Sequence, residues 1–300
     1  MHLLLVRHGE STDNVANLYA GSRDAPLTNH GVLQARRLAE HLLSPASEAE
    51  PGCITHIFTS NLQRAYKTAE AVADAQARSI NLDGGPPYVA GVVQLTELRE
   101  KDFGSSEGKK FGTKSTAANK ETTLEPARSD EEAPAAMVAR VNRFIDVHLF
   151  PIIEQYSISH DRVLVVAHGI ILNYLLRALN TRFGGMKLEN NATWSNTGVL
   201  QALVRAHKGD RSRDTNSKSD ELRREKPSSS RSAPGSTPPP QIYTFIVQSI
   251  NNVDHLKGLK KTRGGVGSAK FDPRQRTMDS FFTSTAKKRK AEGEAERGST

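Results

Sequence analysis

The sequence predicts an α/β fold: a three-layer α/β/α sandwich around a mainly parallel sheet. Short apolar runs alternate with segments of helical periodicity, as in proteins whose parallel strands are covered by helices on both faces. The three strongest runs also end directly in polar residues, and ligands of such sheets bind where the strands end. These predicted strands are residues 3–6, 54–60 and 162–167.

Four helices are predicted between and after these strands. Thr28 can accept a hydrogen bond from the first turn of the first helix. Leu33, Leu38 and Leu42 are expected to share the apolar face of that helix. Pro151 should bend or divide the third helix, because proline lacks the backbone donor that a helix needs. The predicted helices are residues 28–43, 61–77, 135–156 and 170–179.

Two further predicted strands, residues 197–205 and 242–250, flank a segment of different composition. Residues 206–241 are rich in Ser, Pro and charged residues and contain almost no large apolar residue. Such a segment cannot bury enough surface to offset the entropy of ordering it. The sequence therefore predicts a disordered hairpin insertion at about 207–241. The stretch 113–132 is expected to be an exposed loop or a weak helix.

The net charge is unevenly distributed along the chain. The whole sequence carries +8, yet residues 1–206 carry −1 and residues 207–300 carry +9. This asymmetry indicates a nearly neutral folded part and a basic end. A basic end could bind an acidic partner or a nuclear import receptor, or simply keep the tail solvated. We therefore predict one domain at 1–263 and a disordered basic tail at 264–300.

Composition narrows the cellular setting. The single cysteine, Cys53, excludes an internal disulfide, which fits a reducing compartment. It is expected to be a small buried apolar side chain. No apolar run reaches the ~20 residues needed to cross a bilayer, so no membrane association is expected. The N-terminus also lacks the pattern of a signal peptide.

The strand ends carry residues suited to phosphoryl transfer. Arg7 and His8 end the first strand, Arg64 follows the second, and His168 and Gly169 follow the last. A guanidinium binds phosphate oxygens bidentately and keeps its charge. An unprotonated imidazole nitrogen can accept the phosphoryl group itself. Either histidine taken singly would ordinarily be structural, so the pattern depends on their convergence at one sheet edge.

Six motifs resemble, in order, those of the histidine phosphatase superfamily, the phosphoglycerate-mutase-like enzymes. The resemblance covers about residues 1–206 and 242–263. The probability that six motifs agree in this order by chance is very small. The motifs are residues 7–14; 19–21 with 26–28 and 31; 60–65 with 68; 98–100 with 103–104 and 107–108; 165–169; and 196–198.

The resemblance implies a role for each matching position. His8 would be the phosphorylated nucleophile. Arg7, Arg64 and His168 would bind the phosphoryl oxygens, with His168 protonated beside the phosphate. Other matching residues would line the substrate mouth or the phosphate site. These are Asn14, Gly21 and Gly169.

Glu100 would protonate the leaving oxygen and then activate water. Glu97 and Glu107 lie close in sequence and are rivals for this role. Glu100 is preferred because its spacing to Gly104 matches the motif of the family. No metal or other cofactor is expected, because the arginines supply the positive charge.

The activity implied is hydrolysis of phosphomonoesters of small metabolites. Glu100 and His168 are 68 residues apart, whereas the mutases of the family insert a longer segment that covers the site. Residues 252–259 resemble the fructose-2,6-bisphosphatase branch, the TIGAR-like enzymes, which suggests sugar bisphosphates as substrates. Two alternatives stay open: phosphoglycerate mutase activity, and an adaptor whose catalytic domain no longer turns over.

The tail contains two short motifs. Gln275, Met278, Phe281 and Phe282 have the spacing of peptides that bind the DNA sliding clamp PCNA, with the apolar residues on one helical face. The same helix could instead dock on its own domain. Residues 287–290 are typical of a nuclear localisation signal, so we expect nucleus and cytoplasm. Direct sequence-specific binding to nucleic acid is not expected.

Overall fold

The computed structural model describes residues 1–44, 53–83, 91–112, 130–156, 161–184, 191–208 and 241–260. Within these residues, six strands form one sheet in the order β3-β2-β4-β1-β5-β6. The first four in that order run parallel, and β5 and β6 are added antiparallel. The strands are β1 His2–Arg7, β2 Ile54–Ser60, β3 Val92–Leu95, β4 Arg162–Ala167, β5 Val199–Lys208 and β6 Gln241–Asn252.

Helices cover both faces of this sheet, which confirms the predicted three-layer sandwich. Successive β1 side chains enter opposite cores, because neighbouring residues of a strand point to opposite faces. Leu3 and Leu5 pack with α4 and α6, whereas Leu4 and Val6 pack with α2 and α3. The helices are α1 Thr12–Ala16, α2 Asn29–Leu43, α3 Gln63–Asp83, α4 Pro134–Phe144, α5 Phe150–Tyr156 and α6 Gly169–Phe183.

Helix α2 begins where the sequence predicts, but its buried face is different. The Thr28 side chain accepts a hydrogen bond from the Gly31 N–H and caps the helix. The prediction for Leu33 is wrong: it is 46% exposed, whereas Leu38 and Leu42 are buried. Leu33 lies five residues before Leu38, which places it about 140° away around the helix.

Pro151 does not interrupt the helical segment that follows residue 134. A π-helical stretch, Ile145–Leu149, joins α4 to α5, and the Phe150 N–H donates to the Ile145 carbonyl five residues earlier. The wider turn lies directly before Pro151, whose ring would clash with a carbonyl of a regular α-turn. The helix is therefore divided by a change of hydrogen-bond pattern before Pro151 and not by a break in the chain of helical residues.

Other sequence predictions need correction at their edges. The sequence did not predict β3, an edge strand of four residues, and the fifth strand begins at Val199 rather than at residue 197. Cys53 is exposed, not buried. No helix in the described ranges is long and apolar enough to cross a bilayer. The predicted insertion is shorter at both ends, because residues 207, 208 and 241 belong to β5 and β6. Residues 209–240, most of the stretch 113–132 and the tail motifs lie outside the described residues.

Candidate active site

The end of β1 is held by backbone hydrogen bonds on both sides. The His8 N–H donates to the Ala167 carbonyl at the end of β4. On the other side, the Thr197 N–H donates to the carbonyls of Arg7 and His8. Thr197 has a φ of 58°, a backbone conformation that residues other than glycine rarely adopt. This conformation directs the Thr197 N–H towards the end of β1. The backbone of Arg7 and His8, the two site residues predicted at this strand end, is therefore held on both sides.

His8 is buried and has a defined tautomer. Its Nδ1 lies 2.7 Å from the Gly9 carbonyl oxygen, which can only accept, so Nδ1 carries the proton and Nε2 holds a lone pair. Burial lowers the pKa of His8 well below 6.5, and the charges of Arg64 and Arg7 lower it further. The imidazole is therefore neutral at neutral pH, with the form that a nucleophilic histidine needs.

His168 lies beside His8, with ring centroids 4.9 Å apart. The Arg64 Nε–H donates to His168 Nδ1 at 3.2 Å, so the ring proton must be on Nε2. Burial lowers the pKa of His168 well below 6.5, and the charge of Arg64 contributes next. In this arrangement His168 is a neutral donor, which differs from the expected imidazolium.

Two donors of this cluster have no partner among the described residues: the His168 Nε2–H and the Arg7 Nε–H, both buried. Orphaned buried donors are rare in proteins and mark places where a ligand binds. Both belong to residues that the sequence assigned to the phosphoryl oxygens. The Arg7 side chain is also anchored, because its Nη1 donates to the Trp194 carbonyl at 2.7 Å.

Arg64 is less available than the sequence suggests. A guanidinium has five N–H donors, and four of those of Arg64 are bonded within the protein. One reaches His168, and the others reach the carbonyls of Ala20, Gly21 and Arg23. Arg64 therefore places a full positive charge in the pocket but leaves one N–H for a phosphoryl oxygen.

Glu100 contacts the start of α6, next to His168. Its carboxylate accepts from the N–H groups of Ile170 and Ile171, at 3.0 and 3.1 Å. A helix N-terminus stabilises negative charge, so this position suits a carboxylate. The charge of Glu100 also acts on both Arg7 and Arg64, which places it at the same pocket.

The rival carboxylates have other partners. Glu107 accepts from the N–H groups of Gly21, Ser22 and Phe103, so it joins two loops. Glu97 pairs with Arg143 at 3.3 Å. Of the three candidates, Glu100 is the one whose side chain bonds to the residues that follow His168.

Asn14 and Gly21, predicted at the substrate mouth, contact this cluster in different ways. Asn14 Oδ1 accepts from Asn196 Nδ2 at 3.2 Å, and Asn196 also donates to the His8 carbonyl. Gly21 contributes its backbone, with its carbonyl accepting from Arg64. Gly169 is the first residue of α6, after His168, which is the N-cap. The tail residues Gln275, Met278, Phe281 and Phe282 lie outside the described residues.

The sequence assigned no individual role to three residues that support the site, although Thr197 and His255 lie within quoted motifs. Arg140 of α4 donates to the carbonyls of Glu97, Arg99 and Glu100 and so fixes the segment that carries Glu100. The other two, Thr197 and His255, act behind β1. No sequence signal identifies Arg140 in this role, because these three bonds are to backbone atoms about 40 residues away along the chain.

His255 supports the turn that holds β1. Its Nε2 lies 2.9 Å from Thr197 Oγ1, and that hydroxyl in turn donates to the Asn196 carbonyl. The hydroxyl proton is used in this second bond, so His255 Nε2 is the donor to Thr197. Burial lowers the pKa of His255 to about 4, with the charge of His41 contributing next. A neutral histidine is thus kept behind the site.

Fold and site together define an α/β protein that gathers two buried histidines and two arginines where parallel strands end. The sequence profile described as "Histidine phosphatase superfamily (branch 1)" matches residues 3–210. The chain belongs to this superfamily.

Relatives of the chain include both phosphatases and mutases by name. It is 26% identical to "Probable phosphatase C1620.13" of Schizosaccharomyces pombe, over 93% of this chain and 78% of that protein. It is 32% identical to "Probable phosphoglycerate mutase GpmB" of Proteus mirabilis, over 59% of this chain and 73% of that protein. A solved phosphoglycerate mutase from Bacillus anthracis is 20% identical in sequence to this chain, with a TM-score of 0.48. The comparison covers 67% of this chain and 87% of that chain.

Proposed function

We propose that the protein is a metal-independent phosphatase of small phosphorylated metabolites that acts through a phosphohistidine intermediate. The observation that carries this proposal is the tautomer of His8: its Nδ1 proton is bonded to Gly9, which leaves the Nε2 lone pair for attack. Sugar bisphosphates such as fructose 2,6-bisphosphate are the proposed substrates, on the resemblance of residues 252–259 to that branch.

In the first step, His8 Nε2 attacks phosphorus and the bond to the leaving oxygen breaks. The unpaired N–H groups of Arg7 and His168 bind the equatorial oxygens, where negative charge is concentrated. The Arg64 charge adds to this field. The leaving oxygen takes a proton from Glu100 in its acid form, and the alcohol departs.

In the second step, Glu100 accepts a proton from water, and the resulting oxygen attacks the phosphohistidine. The N–P bond breaks, which returns the electron pair to His8 Nε2 and releases inorganic phosphate. The hydrogen bonds from Ile170 and Ile171 support the carboxylate in this base role. They also hold it next to His168, at the edge of the pocket.

Mutase activity is the second candidate, favoured by the relatives named as phosphoglycerate mutases. It uses the same first step, but the phosphoryl group passes to another substrate hydroxyl instead of to water. The two activities differ in one measurable quantity, because only hydrolysis releases inorganic phosphate.

The test is phosphate release from a panel of phosphorylated metabolites and p-nitrophenyl phosphate, with EDTA present. His8→Ala should abolish release. His207→Ala is the matched control, because His207 is exposed and lies eight residues, about 27 Å, beyond the site end of β5. Isomerised phosphoglycerate without phosphate release would establish the mutase instead. Inactivity towards every compound, in a folded protein, would overturn both activities.

We also propose that the tail binds the PCNA sliding clamp and that residues 287–290 direct the protein to the nucleus. The spacing of Gln275, Met278, Phe281 and Phe282 supports the first part, and the basic run supports the second. Deleting residues 264–300 should keep phosphate release and remove clamp binding in a calorimetric titration. Clamp binding by the full chain that survives Phe281→Ala with Phe282→Ala would contradict the assignment.

A further inference from the structure

Arg23 is an exposed arginine on the loop that covers Arg64. Its carbonyl accepts from Arg64 Nη1 at 2.5 Å, so its backbone lies directly against the predicted phosphoryl pocket. Its side chain takes no part in that contact and is 46% exposed. The charges of Asp13 and Glu107 act on both guanidinium groups, which shows that Arg23 and Arg64 share one electrostatic environment.

The Arg23 side chain is held in one place although it is exposed. Its Nε and Nη2 donate to the carboxylate of Asp13, whose own side chain is only 7% exposed. On its other side it lies against Gly108, where an added Cβ would come 2.9 Å from Arg23 Nη1. A buried carboxylate and a glycine thus fix a guanidinium that would otherwise be mobile.

This arrangement leaves donors available. Of the five N–H groups of a guanidinium, Asp13 takes two, and the remaining three of Arg23 have no partner in the described part of the chain. A preoriented fork of this kind suits a carboxylate or a phosphoryl group better than a neutral hydroxyl. Asp13 is also one helical residue before Asn14, which contacts Asn196 above His8.

We propose that Arg23 binds a second anionic group of the substrate, a carboxylate or a phosphoryl group, while the first phosphoryl group occupies the pocket of Arg7 and His168. This inference deepens the proposed function, since it assigns the substrate class: phosphomonoesters with a second negative charge. Arg23 selects among substrates and takes no part in bond breaking.

The test compares ligands that differ only in the second charge. Glycerol 3-phosphate and 3-phosphoglycerate have the same carbon chain, and the latter adds a carboxylate. Fructose 6-phosphate and fructose 1,6-bisphosphate provide the same comparison for a phosphoryl group. Dissociation constants are measured by calorimetry in the His8→Asn chain, so that turnover does not consume the ligands and binding is judged independently of phosphatase activity.

Adding Arg23→Gln should reduce the preference for the doubly charged member of at least one pair by about tenfold, the usual worth of a charge-assisted hydrogen bond. The pair that responds identifies the chemistry of the second group. Arg78→Gln is the matched control, because Arg78 is exposed and lies about 21 Å along α3 from Arg64. Unchanged preference in both pairs, or no binding of any ligand by a folded chain, would overturn the inference.

Discussion

The floor and the rim of the pocket are built differently. The floor consists of the ends of β1 and β4, where main-chain bonds to Ala167 and Thr197 hold Arg7 and His8. His168 follows β4 as the N-cap of α6. The rim consists of residues 19–24 and 101–112, which are joined by the Glu107 carboxylate and by contact of Tyr19 with two phenylalanines, Phe103 and Phe111. The floor is buried, whereas the rim is partly exposed, and Phe111 is 66% exposed.

The difference suggests a division of work between the two regions. A sheet edge fixes the position of reacting groups to within the small tolerance that catalysis needs. Loops can change sequence without disturbing that edge, which is how one fold serves many substrates. We therefore expect changes in the floor to lower kcat and changes in the rim to raise KM.

The largest effect should come from Glu100, whose carboxylate bonds to the start of α6 beside the floor. Glu100→Gln should lower kcat by a factor of about 10²–10⁴, the usual contribution of a general acid and base. Steady-state kinetics with p-nitrophenyl phosphate would show less loss in kcat than with a metabolite, because p-nitrophenol leaves more easily without a proton. Glu97→Gln is the control. An equal loss of kcat in that variant would contradict the assignment of Glu100 as the acid.

A smaller effect of a different kind is expected at the rim. Glu107→Gln removes the charge and one acceptor oxygen from a group that bonds three N–H groups. KM should rise about tenfold while kcat stays nearly unchanged. The free energy of unfolding should fall by about 1–3 kcal/mol. Substrate titrations and urea unfolding measure the two quantities. A fall in kcat with constant KM would break the proposed division between floor and rim.

The support behind the floor should have a modest effect. His255→Ala removes the donor to Thr197, and the turn that bonds Arg7 and His8 should loosen, with a several-fold fall in kcat on the order of the loss of one hydrogen bond. His255→Gln offers an amide N–H near the position of Nε2 and should recover most of the loss. If Ala and Gln variants have the same kcat, His255 contributes only packing.

A last prediction concerns the pH dependence of stability. Burial, the first cause in each case, lowers the pKa values of His8, His168 and His255 below 6.5 in the folded chain. An unfolded chain binds protons at these sites as the pH falls below 6.5, and the folded chain does not. The free energy of unfolding should therefore fall below pH 6.5, by up to about 1.4 kcal/mol per pH unit for each histidine.

Urea unfolding between pH 5 and 7 measures this slope. His255→Gln should make the slope shallower by up to about 1.4 kcal/mol per pH unit, because one proton fewer is taken up on unfolding. Activity should also persist below pH 6.5, because His8 stays neutral there. A bell-shaped profile whose acid limb lies at or above pH 6.5 would contradict the lowered pKa.

The sequence predicted the floor better than the rim. Strand ends follow from apolar runs, and the position of His8 and His168 at one edge follows from parallel pairing. The sequence could not predict that four N–H groups of Arg64 are already bonded, because three of the acceptors are backbone carbonyl groups, which every residue has. Likewise, the neutral state of His168 depends on which nitrogen faces Arg64, a detail that no residue pattern contains.

Errors in the fold have similar causes. Leu33 was assigned to the wrong face because a five-residue spacing departs from the helical period, and β3 was missed because four residues at an edge give little pattern. Arg140 and Arg23 act through contacts with segments distant along the chain. Their roles become visible only when the loops are placed in space.

The central position of β1 has a consequence for the order in which the molecule forms. His2 pairs with Arg162 on one side and with Leu203 on the other, so β1 lacks both neighbours until segments 160 and 201 residues further along the chain have been made. Its apolar residues must be kept from other partners during that time, and closing such long loops is slow. The strand that leads to His8 is thus made well before either of the strands that flank it in the sheet.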